Sequence, residues 1–225
     1  MNIKDKKNFS MSIVLLGDFQ PGMFQPLWFL DNGVITKAEY EAIIKNTGKT
    51  FVVNNAITSF ETDIISFSVG QKRFQFLGKK EPFEKVIDSF KKVFDSLSTI
   101  PINAYGINFF FHLAVDNYKE MKTIGTLLAP RKYWESLYDT ETQEDGLISM
   151  TMRKTTEYGC LNISIESSNA IKPGIFLNFN FHHSKKESSF VVGEIEEKLE
   201  NQYKEYNSQV TKISDNIFEK INEYK

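Results

Sequence analysis

Disulfide chemistry is missing from this chain. Its single cysteine, Cys160, has no internal partner, which suits a reducing cytosol. Histidine is nearly as scarce, with three in 225 residues. No apolar run approaches the ~20 residues needed to cross a bilayer. The run Ile13-Val14-Leu15-Leu16 is too short for a secretory signal, and no small-residue cleavage site follows it. An excess of one charge is also lacking: 27 Lys and Arg stand against 29 Asp and Glu, for a net charge of −2. A protein that neutralises many phosphates usually carries a basic excess or stripe. Here the basic clusters are short: Lys4-Asp5-Lys6-Lys7, Gln71-Lys72-Arg73, Lys79-Lys80 and Lys185-Lys186. Nucleic acid is disfavoured, and a soluble cytoplasmic protein with no membrane association is expected.

Catalytic signatures are absent as well. There is no GxSxG elbow, and no GxxxxGK[ST] loop or GxGxxG turn after a strand. Cys160 follows Tyr158-Gly159 at a strand start and reads as an inert buried thiol. Glu144-Asp145 lies in an acidic loop with nothing to raise a pKa. No cofactor is expected.

What the chain does have is phenylalanine, 20 residues of it, within a hydrophobic fraction of 41%. That points to a Phe-rich core, since each ring buries a large area. Residues 12–19 predict a strand. Residues 19–33, with two prolines and two glycines, predict a loop that carries Phe24, Leu27, Trp28 and Phe29 onto the core. Thr36-Lys37-Ala38-Glu39 is a capping box. The helix it starts should turn Tyr40, Ile43 and Ile44 inward and end at Gly48. Strands follow at 51–58, 63–69 and 73–77. Then Phe83, Val86, Ile87, Phe90, Val93, Phe94 and Leu97 fall on one face of a core helix that opens near Pro82. The second half predicts a strand at 102–115 and a helix with Tyr118, Met121, Ile124, Leu127 and Leu128. After Pro130 come a helical turn at 131–138, an acidic loop at 140–146, and strands at 147–155, 160–166 and 175–183.

The order strand, helix, three strands, helix therefore occurs twice, over about 11–98 and 101–190. The class is α+β: an antiparallel sheet with helices on one face, a domain spanning 1–190, and a long amphipathic C-terminal helix at 191–225. The layout resembles the TATA-binding-protein-like repeat, a curved antiparallel sheet with helices covering one face. No residue motif carries that likeness, which implies fold alone. Phe74–Leu77, the helix at 83–97 and the strand opening Gly106-Ile107-Asn108 together resemble a sporadically distributed family of uncharacterised bacterial proteins. That resemblance implies no activity.

All three histidines end two similar strands, "GINFFFHLAV" and "GIFLNFNFHHSK". Side chains alternate along a strand. Ile107, Phe109, Phe111, Leu113 and Val115 therefore oppose Asn108, Phe110 and His112. Likewise Ile175, Leu177, Phe179, Phe181 and His183 oppose Phe176, Asn178, Asn180 and His182. Ser66, Ser68, Arg73, Gln75, Arg153, Asn162, Ser164 and Glu166 join the second, polar set. That face is either plainly solvated or a binding surface, with Asn108, His112, Asn162, Glu166, Asn178, Asn180 and His182 as its candidate residues. His112, His182 and Glu166 would make a chemically reasonable two-imidazole, one-carboxylate set, the basis for a small metal-dependent enzyme as an alternative. No tight ligand spacing supports it, and no metal is assigned.

The C-terminal helix carries Val192, Ile195, Leu199, Tyr203, Tyr206, Val210, Ile213, Ile217, Ile221 and Tyr224 in a near-heptad stripe. At 1.5 Å per residue it would be ~50 Å long, against ~20 Å for a typical strand. Either it breaks near Asn207-Ser208 and folds back, or it overhangs and meets a second copy or another protein. In the second case Leu199, Tyr203, Tyr206, Val210, Ile213 and Ile217 form the interface. The function expected is a non-catalytic assembly or protein-interaction subunit. A nucleic-acid-binding sheet is the alternative.

Overall fold

The computed structural model describes residues 6–45, 51–94, 97, 100–130, 132, 146–185 and 188–223. Nine strands form one sheet: β1 (Lys6–Gly17), β2 (Val52–Val53), β3 (Ile57–Glu61), β4 (Ile65–Gly70), β5 (Arg73–Gly78), β6 (Ile102–Ala114), β7 (Ser149–Thr156), β8 (Gly159–Ser167) and β9 (Gly174–Ser184). Their order is β2-β3-β4-β5-β1-β6-β9-β8-β7, and every neighbouring pair is antiparallel. β1 and β6, the opening strands of the two halves, pair at the centre. From each of them the chain's later strands run outward, last strand first: β5, β4, β3 on one side and β9, β8, β7 on the other.

The helices are α1 (Pro26–Asp31), α2 (Lys37–Lys45), α3 (Glu84–Phe94), α4 (Tyr118–Leu128) and α5 (Val192–Glu223). They lie mostly on one face of the sheet. Phe29 of α1 meets Phe60 and Phe67 at ring distances of 4.8 and 4.6 Å. Phe90 of α3 meets Phe76 at 5.7 Å. Tyr206 of α5 stacks on Phe181 at 4.1 Å. The expected Phe-rich core is this layer: Phe67, Phe74, Phe76, Phe109, Phe111, Phe179 and Phe181 are all buried in one cluster. Gly78 admits α3, because a Cβ there would run into the Val86 side chain.

Several local expectations hold. The capping box forms: Thr36 N–H donates to Glu39 Oε2 at 2.8 Å, and Glu39 N–H donates to Thr36 Oγ1 at 3.3 Å. Asn117 caps α4 by accepting from Glu120 N–H at 2.9 Å. Others need correction. The segment expected to be a loop contains a 3-10 turn at Pro21–Met23 and the helix α1. Pro26 sits in its first turn, where a missing N–H costs nothing, and the apolar run after it holds no breaker. Ile44 is exposed rather than inward. β1 starts earlier than expected and bulges between Lys7 and Ser10, where Asn8 takes a left-handed φ of 54°. The irregular strand at 51–58 is really two, β2 and β3. Asn54 Oδ1 accepts from the N–H groups of Ala56 and Ile57 between them. The expected stop at Gly48, most of the turn at 131–138, nearly all the acidic loop at 140–146, and Tyr224 lie outside the described residues.

The largest correction concerns α5. It is one unbroken helix through Asn207-Ser208, yet it does not overhang. Leu199, Tyr203, Tyr206 and Val210 are buried in their own chain, and Ile213 and Ile217 pack partly buried against the same core. Glu200 pairs with Lys91 of α3, and Ile221 lines a cleft together with Ile124 of α4. β6 runs for 13 residues, roughly 40 Å at about 3.3 Å per residue, and α5 lies along it, from the Tyr105–His183 pair near its start to the Ile124 cleft of α4 beyond its end.

Candidate functional site

The face opposite the helices is where the candidate residues gather. Register puts Ser12, Asn108, Asn180, Asn162 and Arg153 side by side on β1, β6, β9, β8 and β7. Their side chains are joined hand to hand. Arg153 Nε donates to Asn162 Oδ1 at 2.8 Å, and Asn162 Nδ2 donates to Asn180 Oδ1 at 3.3 Å. Asn180 Nδ2 donates to Asn108 Oδ1. Asn108 Nδ2 donates to Ser12 Oγ at 3.1 Å. Every donor points toward β1. Amide dipoles in such a chain reinforce one another, and the Arg153 cation sits at the carbonyl end, where it belongs electrostatically. Asn108 and Ser12 are buried in the middle of this face, so their polar atoms need these partners.

Beside the row lies a second one, from Ser10 through Phe110, Asn178 and Ser164 to Thr151. Ser164 and Thr151 share a hydrogen bond at 2.9 Å. Asn178 is different. Among the described residues its amide has no hydrogen-bond partner, and it stands half-buried opposite Phe110 and two residues from Phe176. Phe110 and Phe176 meet at 5.9 Å, and His112 lies against Phe176 at 4.8 Å. Ser168 Oγ already accepts from the N–H groups of Ala170 and Ile171. Its hydroxyl therefore donates to His112 Nδ1, at 2.8 Å, and keeps that imidazole neutral. Burial pushes the His112 pKa down in the same sense.

The metal reading fails on register. His112 faces Phe176, while His182 faces Gly106, six residues away along β9, or roughly 20 Å at about 3.3 Å per residue. Glu166 faces Phe176 from the other side, so only Glu166 and His112 flank a common residue. Among the described residues no group of three His, Cys, Asp or Glu side chains could hold a metal. His182 instead stands opposite Cys160. Its pKa is lowered by burial and then by Arg153. No hydrogen bond joins thiol to imidazole; the Cys160 sulfur contacts Asn162 at 3.6 Å.

The seven residues expected on this face all lie there. The six expected at a helix interface are instead in or against the core. Sequence reasoning missed Ser12 and Ser168 as partners. It also missed a buried cluster on the helix side, where His183 lies between Tyr105 and Tyr158. Tyrosines at 105, 158 and 206 carry the signal for that cluster, but only the pairing brings them together. No model of a known protein family matches the chain, and no curated protein matches it. No helix among the described residues is long and apolar enough to cross a membrane.

Proposed function

We propose that this protein is a non-catalytic cytosolic binding subunit that docks a partner protein on its open sheet face. The observation that carries the reading is the one-directional row from Arg153 to Ser12, set on the face opposite the helices. Such a row holds its side chains in fixed positions before any partner arrives, which reduces the ordering cost of binding. Asn178 and the half-buried rings of Phe110 and Phe176 supply the adaptable and apolar contacts beside it. The helical stripe has no part in this reading, since its own core takes it up.

A test follows from Asn178, whose replacement disturbs no existing hydrogen bond. Wild-type protein and Asn178→Arg would be used to capture proteins from the native host. A partner held by the wild type and lost from the variant supports the reading. Identical capture by both contradicts it. The aromatic pair and Arg153 also fit a single-stranded nucleic acid, whose bases stack on accessible aromatic rings. That second reading requires binding that weakens steeply as salt rises.

A further inference from the structure

His183 is the one histidine on the helix-covered face, and it is fully buried at 0% exposure. Its ring is the middle layer of a stack, 4.2 Å from Tyr105 of β6 at 10° and 4.4 Å from Tyr158 of the β7–β8 turn at 16°. Gly159 makes that turn, with φ at 148°, and a Cβ there would meet the His182 carbonyl. The third contact comes from α5. The Tyr206 hydroxyl donates to Gln202 Oε1 at 2.7 Å, so its oxygen accepts from His183 Nε2–H at 3.2 Å. That fixes the tautomer and leaves Nδ1 without a proton. Among the described residues Nδ1 has no partner, nor does the buried Tyr105 hydroxyl.

We propose that His183 is an acid-sensitive pin for α5: protonating its ring lifts the helix from the sheet and bares the apolar stripe of Leu199, Tyr203, Tyr206 and Val210. A second proton has to enter at Nδ1, where no acceptor among the described residues meets it and two tyrosine rings close off water. The charges around the ring oppose that proton. Lys198 on α5 and His182 on β9 both disfavour it. Glu194 on α5, whose charge reaches Tyr105, is already paired with Lys185 at 2.6 Å, and Glu205 acts on the Tyr206 hydroxyl. Burial pushes the Tyr105 and Tyr206 hydroxyls up, so both stay protonated.

Burial first, then Lys198 and His182, bring the imidazole down to about 3 from its ordinary 6.5. A folded pKa below the unfolded one means that protons favour the opened state. The stability held by neutral His183 is complete above pH 6.5 and drains away as pH falls toward 3. At pH 5 the opened state gains about thirtyfold.

Amide hydrogen exchange across α5 tests this, measured at pH 7 and pH 5 and corrected for intrinsic exchange. Wild-type α5 should lose about thirtyfold more protection than His183→Phe, which fills the stack without titrating. Equal losses in the two proteins overturn the proposal. The wild-type His183 ring, followed by NMR, provides a check that does not depend on the variant folding. It should show no titration in the folded protein between pH 7 and pH 4.5. A midpoint near 6.5 overturns the proposal even if His183→Phe cannot be made.

Discussion

His182 and His183 are neighbours on β9 and belong to different parts of the molecule. The first stands half-buried on the open face, opposite Cys160 and Gly106 and within the field of Arg153. The second is sealed on the helix side among Tyr105, Tyr158 and Tyr206. Phe110 and Phe111 make the same contrast one strand away: Phe111 is buried, whereas Phe110 touches Phe176 beside the unpartnered Asn178. One face uses its side chains to fill space. The other uses them to hold positions, with amides tied into a row and a few groups left unspent. Adjacent residues thus differ more in what they do than residues of like type placed far apart.

The most severe way to break this comparison is to remove a wall of the core face. A chain ending at Ser189 loses Ile195, Leu199, Tyr203, Tyr206 and Val210, all buried. Burial of such side chains contributes roughly 1.5–3 kcal/mol each, against about 5–15 kcal/mol for a whole domain. Thermal denaturation should show no cooperative transition. A sharp transition would mean that α5 is not part of the core.

Paired substitutions sharpen the contrast. In denaturant titrations Phe111→Ala should cost about 3–5 kcal/mol, and Phe110→Ala about 1 kcal/mol. Equal costs would erase the distinction between faces. Acid separates the histidines next. At pH 5 the burial of neutral His183 should cost the fold about 2 kcal/mol relative to pH 7. His183→Phe should remove that acid sensitivity and His182→Gln should leave it. Within the open face, Asn180→Ala deletes the donor to Asn108 Oδ1 and the acceptor for Asn162, and should cost about 1–3 kcal/mol. Asn178→Ala breaks no hydrogen bond and should stay within about 0.5 kcal/mol of wild type.

Much of this was legible from alternation alone. Period two assigns Phe109, Phe111, Phe179 and Phe181 to one face and the asparagines to the other. The helical spacing of Phe83 to Leu97 marks α3. Alternation says which face a residue takes, but not which residue stands opposite it. The match of Asn108 to Asn180 depends on register between strands 72 residues apart in the chain, and so does the separation of His112 from His182. That α5 lies along the 13-residue β6 was hidden for the same reason, which is why the helix looked too long for its domain. α1 was lost to its prolines, read as breakers where Pro26 lies in a first turn.

The most direct test of the division between faces is a capture experiment with matched variants. Wild type, Asn178→Arg on the open face and Lys212→Glu on the exposed side of α5 would be presented to a native-host extract, and bound proteins identified by mass. A partner held by wild type and Lys212→Glu but lost from Asn178→Arg is the result this account expects. A partner lost from Lys212→Glu and kept by Asn178→Arg would contradict it.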